Sequence, residues 1–346
     1  MKPLHLPAGS PILVRSPNWV GDAVMAMPFY AALARALPGC PISVAARPHA
    51  ADIARLVPGV EVLDHDDRGR HSGVRGRLGL ALELGRRRFR AVFLLPNSFS
   101  SALLPFLARI PARIGYSRDA RSLLLTHRVP WSAAVREMHR SRTYLHLLDE
   151  VGLGPAGEPA FPYRVGDPER RELEELLAGM GLEPGQRFIG VAPGAVGASR
   201  RWPAERYGEV ALALARRYDA RILALGTSAD RPLCQVVEKA ARGAAVNLAG
   251  KTPLRLLPAL IDRCLLLLAN DSGAAHVASL TRTPAIVMHG ADNERITRPL
   301  GEHIHGLRRP LECAPCESNT CARGDLACML AIEVADALAL AERLLA

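Results

Sequence analysis

The sequence lacks long apolar stretches and is poor in aromatic residues. The aliphatic stretch at 264–269 is among its longest, far short of the ~20 residues that a membrane-spanning helix needs. Pro3, Pro7 and Gly9 interrupt the N-terminal segment, where a signal peptide would be continuously apolar. Aromatic residues make up 5% of the chain, and no stacking or groove-reading motif accompanies them, which argues against a nucleic-acid-binding protein. We therefore expect a soluble cytoplasmic protein.

Lysine is also scarce, and the positive charge is unevenly distributed. Only three of the 44 cationic residues are lysines, so a single arginine carries little functional information by itself. Residues 1–165 contain 22 Lys and Arg but 12 Asp and Glu, whereas residues 166–346 contain 22 of each. The first half thus carries the whole net charge of +10. This asymmetry predicts an anionic partner for the first half: nucleic acid, an acidic membrane surface or a phosphorylated substrate.

The order of apolar segments predicts an α/β protein with two tandem Rossmann-like lobes. At 346 residues the chain is longer than one hydrophobic core usually serves. Short apolar strands alternate with helical patterns in both halves, as in βαβ units with a parallel sheet. Glycine and proline crowd the stretch 151–169, which separates the two series. We predict lobes at 1–165 and 166–330, a closing helix at 331–346, and a ligand cleft between the lobes.

The loop after the first strand carries a carboxylate at the start of a helix. In the run Ser-Pro-Asn-Trp-Val-Gly-Asp at 16–22, Asp22 has two interpretations. It can cap the helix and complement the helix dipole, or it can act as a general base on a sugar hydroxyl at the edge of a cleft. Gly21 permits close approach of a substrate, although the loop lacks the GxGxxG dinucleotide signature.

Two loops of the second half have the composition of an anion site. Small residues at 192–199 lead into Arg200 and Arg201, which could cradle a diphosphate or be ordinary solvated arginines. The second loop follows a strongly apolar strand at 265–269 and contains Asp271, Ser272, Gly273 and His276. Backbone N–H groups at a helix start, a hydroxyl and an imidazole can together bind a phosphate. The segment 290–299, which includes Asp292, should face the same cleft, with a less defined role.

Four cysteines lie close together near the C-terminus: Cys313, Cys316, Cys321 and Cys328. They could hold zinc or an iron–sulfur cluster, or form two disulfides, but the spacing matches neither the paired CxxC zinc pattern nor a ferredoxin run. We favour a structural staple over a catalytic role.

The segment Asp-His-Asp-Asp at 64–67 resembles a metal-binding DxD motif. It continues into an arginine-rich stretch at 68–77, and we interpret the whole as a mixed-charge loop.

Taken in order, these motifs resemble the bacterial lipopolysaccharide heptosyltransferases of glycosyltransferase family 9. The resemblance rests on Asn-Trp-Val-Gly-Asp-Ala-Val-Met at 18–25, Pro-Gly-Ala and Arg-Arg-Trp-Pro within 193–203, Asn-Leu-Ala-Gly-Lys-Thr-Pro-Leu at 247–254, Asn-Asp-Ser-Gly and His within 270–276, and the cysteine segment. It covers nearly the whole chain, from about residue 12 to 345. The run at 18–25 is most similar to the members that add the second heptose of the inner core.

The resemblance implies a GT-B fold whose C-terminal helix crosses back to the first lobe. It implies an inverting, metal-independent transfer from ADP-L-glycero-β-D-manno-heptose, without a cofactor, to heptosyl-Kdo–lipid A, with Asp22 as the general base. The alternative is a family member that adds the first heptose, or one that acts on another acceptor. The donor-binding residues that it implies are Ala195, Val196, Arg200, Asp271, Ser272, Gly273 and His276.

The chain departs from the family pattern at Arg200, where these enzymes usually carry lysine. Arginine can still neutralise ADP, with bidentate geometry. The acceptor is an anionic lipid in the inner leaflet, which would explain the basic first half and implies peripheral contact with the inner membrane. The residues that we expect to face acceptor or membrane are Asn18, Trp19, Arg68, Arg70, Arg75 and Arg77, with a contribution from the arginine run at 86–90.

Overall fold

The computed structural model of the chain describes residues 3–67, 69–118 and 120–346. It divides into two compact units, residues 1–163 and 164–346. The predicted boundary at 165/166 lies close to this division. Within the described residues each unit is built on one six-stranded sheet in which every strand pair is parallel. The predicted α/β class is therefore confirmed.

The first unit alternates strands and helices. Its strands are β1 (Ile12–Arg15), β2 (Ile42–Ala46), β3 (Val60–Asp64), β4 (Ala91–Leu94), β5 (Ala112–Ser117) and β6 (His127–Pro130). Its helices are α1 (Val20–Ala36), α2 (Pro48–Ala54), α3 (Gly73–Arg86), α4 (Phe99–Leu107), α5 (Ala133–Glu137) and α6 (Arg140–Glu150). The strand order is β3-β2-β1-β4-β5-β6.

The second unit repeats this plan. Its strands are β7 (Arg187–Ala192), β8 (Ala220–Ala224), β9 (Ala245–Asn247), β10 (Leu266–Asn270), β11 (Ala285–His289) and β12 (Ile304–Arg308). Its helices are α7 (Asp167–Ala178), α8 (Ala204–Tyr218), α9 (Arg231–Ala240), α10 (Leu257–Asp262), α11 (Gly273–Ala278), α12 (Glu294–Thr297), α13 (Ala327–Leu330) and α14 (Val334–Leu345). The strand order is β12-β11-β10-β7-β8-β9.

The two sheets share one topology, which fixes where a ligand can bind. In each sheet the first and fourth strands are neighbours, β1 beside β4 and β7 beside β10. From these two strands the chain proceeds in opposite directions along the sheet, which opens a crevice beyond their carboxyl ends. The loops after β1 and β4, and those after β7 and β10, are thus the places where a ligand is expected.

Burial explains why the central strands could be recognised in the sequence. All residues of β1, β4, β10 and β11 are buried. A strand covered by helices on both faces of a parallel sheet can be apolar at every position. The outermost strands β3 and β12 are half-buried and mixed in composition, so their sequences carry a weaker signal.

The last helix, α14, packs within the second unit. It contacts α8 and β11, and Ala337 and Ala341 belong to the core of this unit. Ile332 lies just before α14 in the sequence, and its carbonyl accepts a hydrogen bond from the indole of Trp202 (2.9 Å). The apolar face of the helix therefore packs against α8 and β11 in the second unit.

Among the residues that the structure describes, no helix is both long enough and apolar enough to cross a membrane.

Candidate active site

At the carboxyl end of the first sheet, the loop after β1 presents Asn18, Trp19 and Asp22. Helix α1 begins at Val20, so Trp19 occupies the N-cap position, and its indole makes no capping hydrogen bond and is 57% exposed. Asp22 lies in the first turn and is half-buried. The N-cap interpretation of Asp22 was therefore wrong, although its charge still complements the start of α1. The arrangement leaves a carboxylate and a large apolar surface at the expected crevice.

Helix α6 supplies a neighbour that the sequence did not reveal. Tyr144 is 5% exposed. Its phenol faces the Asp22 carboxylate, which is both the nearby negative charge and the hydrogen-bond partner of the phenol. Burial, followed by the charge of Asp22, raises the pKa of Tyr144 well above its ordinary value. The phenol is thus a fixed proton donor directed at the carboxylate, because it stays protonated at any physiological pH.

A buried arginine stabilises the same loop. Arg15, at the end of β1, is 6% exposed, and its guanidinium donates to the Ala45 carbonyl (3.1 Å) and to Oδ1 of Asn18 (3.1 Å). Burial, and then the nearby Arg47, lowers the pKa of Arg15 to about 10. Burial likewise lowers the pKa of the neighbouring His65 to about 3. Asn18 is therefore held by the scaffold and has a structural contact besides any role towards an acceptor.

The acidic segment at 64–67 is held by arginines of its own unit. Asp64 pairs with Arg55 (2.7 Å), and Asp67 pairs with Arg47. Asp66, the second carboxylate of the DxD pattern, accepts a hydrogen bond from the Gly69 backbone N–H (2.9 Å). The preference against a DxD metal site stays a prediction.

The arginines that follow this segment differ from the expected loop. Arg75 and Arg77 lie on α3, which begins at Gly73, and both are exposed. Nη2 of Arg70 donates to both carboxylate oxygens of Glu83 (2.8 Å to each). Arg68 lies outside the described residues. The expectation of a loop through residue 77 was wrong, because apolar Leu80, Ala81 and Leu84 fold the segment onto the core as a helix.

At the carboxyl end of the second sheet, Asn270 joins the two ligand loops. Its amide donates to the Pro193 carbonyl (2.7 Å), and its Oδ1 accepts from the Trp202 backbone N–H (2.9 Å) and the Tyr207 hydroxyl (2.8 Å). The side chain is fully buried, so these bonds satisfy a polar group that would otherwise be costly there. The loop after β7 is thus fixed to the end of β10.

The loop after β7 carries three of the predicted donor-site residues. Ala195 is 8% exposed, and its carbonyl accepts from Arg201 Nε (2.8 Å), whereas Val196 is 66% exposed. Arg200 ends the one-turn 3-10 segment Ala198–Arg200, and its Nη2 lies 2.9 Å from Oδ1 of Asp292. Arg201 is therefore engaged by the backbone, while Arg200 points towards the loop after β11.

The loop after β10 places Asp271 in a buried cluster. Oδ1 of Asp271 lies 3.6 Å from Nε2 of His276, and Oδ2 lies 3.8 Å from Nδ1 of His289. Glu294 lies 4.0 Å from the same His289 nitrogen. Ser272 is the N-cap of the short helix α11, with no hydrogen bond from its side chain to the helix, and Gly273 is the first residue of α11. Asp271, Ser272, Gly273 and His276 therefore lie together, as the motif predicted.

The two carboxyl groups of this cluster have opposite pKa shifts. Burial raises the pKa of Asp292 to about 7, assisted by the adjacent Asp271 carboxyl and opposed by Arg200. Burial acts on Asp271 in the same direction, but the His276 and His289 imidazoles outweigh it, so the pKa of Asp271 falls below its ordinary value. Burial lowers the pKa of His289. An ionised carboxyl beside one that titrates near neutral pH is typical of a functional site.

The four clustered cysteines line one small cavity of about 60 Å³, and all four are free thiols. Ser199 and Ala291 also line it, the residues adjacent to Arg200 and Asp292. In the described part of the chain, no group of three or more His, Cys, Asp or Glu side chains is arranged to hold a metal ion. The cysteine segment thus adjoins the donor-site loops.

Two residues of the second cluster were missed in the sequence. His289 is the last residue of β11, and Glu294 follows this strand, as Asp292 does. Only the apolar character of the strand indicated that these residues lie at the carboxyl end of the sheet. Tyr144 had no local signal, because α6 is brought to α1 by tertiary packing. The structure thus joins the predicted donor residues in the second unit and places Asn18, Trp19 and Asp22 together in the first.

Comparisons with known proteins identify the family of this chain. The family described as glycosyltransferase family 9 (heptosyltransferase) matches residues 77–327. Lipooligosaccharide heptosyltransferase 2 of Haemophilus influenzae is 30% identical over 317 residues, 86% of this chain and 88% of that protein. The solved structure of Escherichia coli ADP-heptose LPS heptosyltransferase II has a TM-score of 0.81 and 25% identity, covering 96% of this chain and 98% of that one. A family 9 glycosyltransferase from Veillonella parvula superposes with a TM-score of 0.87 at 22% identity, covering 99% of each chain, which supports the fold. The chain belongs to glycosyltransferase family 9, the heptosyltransferases.

Proposed function

We propose that this glycosyltransferase moves L-glycero-D-manno-heptose from ADP-heptose to the first heptose of the lipopolysaccharide inner core. The observation that carries the proposal is the similarity to heptosyltransferases 2 along 86% of the chain. The motif residues at the carboxyl ends of both sheets support it, because a transferase of this kind needs a base for the acceptor and cations for a diphosphate.

We assign the donor to the second lobe, residues 166–330. Arg200 and His276 lie beside the crevice expected between β7 and β10 and would face the negative charge of the diphosphate. The exposed side chain of Val196 and the backbone around Ala195 would line the phosphate loop. Asp271, with Ser272 and Gly273, would contact the sugar and the nearer phosphate.

We assign the acceptor to the first lobe, residues 1–165, with Asp22 as general base. Asp22 accepts the proton of the acceptor hydroxyl as that oxygen forms a bond to the anomeric carbon. The bond from the anomeric carbon to the diphosphate oxygen breaks in the same step, and ADP leaves with the electron pair. Attack from the face opposite the leaving group inverts the anomeric centre. Arg200 and His276 stabilise the departing charge, so the proposed reaction requires no metal.

We further propose that the acceptor is an anionic lipid A–core molecule at the inner face of the inner membrane. The first half of the chain carries the entire excess of positive charge. On its surface, Trp19 is 57% exposed at the crevice, and Arg75 and Arg77 are exposed on α3. These side chains match an acceptor that combines sugars, acidic groups and a lipid surface.

The test is ADP release from ADP-heptose, with mass spectrometry of the acceptor and EDTA in a parallel reaction. Kdo–lipid A is supplied with and without a first heptose. Transfer only onto the heptosylated acceptor, unaffected by EDTA, is the expected result. Transfer only onto the heptose-free acceptor would assign the enzyme to the first heptose instead. Loss of activity with EDTA, restored by a divalent cation, would contradict the metal-independent mechanism.

A further inference from the structure

Arg200 already has a counter-ion from its own chain. Its Nη2 lies 2.9 Å from Oδ1 of Asp292, which is 7% exposed. Arg200 follows β7 and Asp292 follows β11, so the pair spans the crevice at the carboxyl end of the second sheet. A buried carboxylate paired with one cation loses that stabilisation when the cation turns to another anion. A diphosphate that uses Arg200 therefore competes with Asp292.

The surroundings of the Asp292 carboxyl group favour its protonation. Oδ2 of Asp292 is buried without a hydrogen-bond partner among the described residues. The Asp292 carboxyl group also lies next to the carboxyl of Asp271, which is 5% exposed. Two carboxylates cannot satisfy each other, whereas a carboxylic acid can donate to a carboxylate. The geometry thus provides a place for one shared proton.

The surrounding groups keep the negative charge on Asp271. His276 and His289 lie within 3.6 and 3.8 Å of the Asp271 oxygens. Two further carboxylates lie on neighbouring segments. Glu294 faces His289, and the negative charge of Glu317, in the cysteine segment, acts on Asp292. Both histidines therefore stabilise ionised Asp271, and Arg200 is the cation that opposes protonation of Asp292.

We propose that Asp292 is a positioning residue of the donor site, holding Arg200 while the site is empty and exchanging it for the donor diphosphate with uptake of a proton. The inference rests on the proposed donor site. Protonation lets Asp292 release Arg200 without leaving an unpaired buried charge beside the diphosphate. By linkage, uptake of a proton on binding means that the donor binds more weakly as the pH rises. This loss begins near pH 7, where the free carboxyl of Asp292 ionises.

The test is calorimetric titration of the full-length protein with ADP-heptose, without acceptor, between pH 6 and pH 9. Two buffers of different ionisation enthalpy are used, so that proton uptake is measured directly. ADP-heptose is a suitable probe because its diphosphate is a diester and gains no proton in this range. We expect wild type to take up nearly one proton above pH 7 and to lose up to about tenfold in affinity per pH unit there.

Two variants complete the design. Asp292→Asn removes the competing charge, so it should bind ADP-heptose about tenfold more tightly than wild type at pH 8.5, with little proton uptake. Asp262→Asn breaks another Asp–Arg pair of the same unit, with Arg170 (2.8 Å), and should keep the wild-type pH dependence.

The outcomes separate the two proposals. Binding by wild type without proton uptake would overturn the role of Asp292 alone, and this measurement needs no variant to fold. An Asp292→Asn protein that binds more weakly at every pH would assign Asp292 a purely structural role and also overturn the inference. Absence of ADP-heptose binding at any pH would overturn the proposed donor site together with the inference.

Discussion

At the residue scale, Asp22 is the group on which the proposed reaction depends. Replacing Asp22 by Asn keeps the shape of the side chain but removes the base. We expect the turnover number to fall at least about a hundredfold, with ADP affinity close to wild type, because the donor residues belong to the other sheet. Steady-state ADP release and calorimetry with ADP measure the two quantities. Asp52→Asn, at an exposed carboxylate paired with Arg55 (3.0 Å), is the control, and near-normal turnover of Asp22→Asn would refute the assignment.

Tyr144 gives a second, subtler prediction at this scale. Its hydroxyl faces Asp22 as a hydrogen-bond partner, and such a donor stabilises the ionised carboxylate. In Tyr144→Phe the pKa of Asp22 should rise, so the acid limb of the kcat/KM profile should move to higher pH by about one unit.

A matched substitution distinguishes this effect from a loss of packing. The Tyr116 hydroxyl is also buried and donates to the Thr143 carbonyl (2.6 Å), but it does not face Asp22. Tyr116→Phe should therefore leave the profile in place. An unchanged acid limb in Tyr144→Phe, with wild-type turnover, would show that the phenol does not influence the base.

The residues of the site differ in how far the sequence predicted them. Asp271 and His276 lie one turn apart in a strand-to-helix motif, so their proximity followed from local spacing. The pairing of Arg200 with Asp292 depends on β7 and β11 flanking β10 in the sheet. Neither partner's local sequence contains that information. Pairings that depend on sheet order were therefore beyond the sequence argument, although both residues had been singled out separately.

At the scale of elements, the strength of the apolar pattern decided what could be predicted. Helix α8 (Ala204–Tyr218) buries its residues at helical spacing, so its pattern is plain in the sequence. Strands β5, β6 and β12 were not predicted. Each carries arginine or histidine, and β6 and β12 lie at sheet edges. An edge strand buries less surface, so its composition is close to that of a loop.

The cysteine segment shows how a segment without regular structure can support a site. The Ser199 hydroxyl donates to the Ser318 carbonyl, and the Ser199 backbone N–H donates to the Asn319 carbonyl (3.3 Å). The Glu317 backbone N–H donates to the Ala291 carbonyl (2.8 Å). These bonds tie the segment to the residues preceding Arg200 and Asp292. The segment thus supports the two donor-site loops through these hydrogen bonds, and a staple formed by its cysteines stays a prediction.

At the scale of the whole molecule, the excess positive charge of the first half has an exposed apolar counterpart. Val74 is 75% and Leu82 is 65% exposed on α3, the helix that also presents Arg75 and Arg77. Arginine beside exposed aliphatic side chains suits the boundary between lipid headgroups and acyl chains. Arg70 contributes less, because Glu83 neutralises it.

The last prediction tests this surface in the full-length protein. Replacing Arg75 and Arg77 by Ser should reduce binding to vesicles of phosphatidylglycerol and phosphatidylethanolamine by about tenfold or more, since each arginine near an anionic surface contributes about 1 kcal/mol. Sedimentation with the vesicles at low and high salt measures the effect, and high salt should diminish the difference. Replacing Arg216 and Arg221, two exposed arginines of the second unit, removes the same charge and should have little effect. Equal losses of vesicle binding in the two double variants would mean that net charge, rather than α3, attracts the chain to the lipid. Unchanged binding in both variants would exclude α3 as the membrane-facing surface.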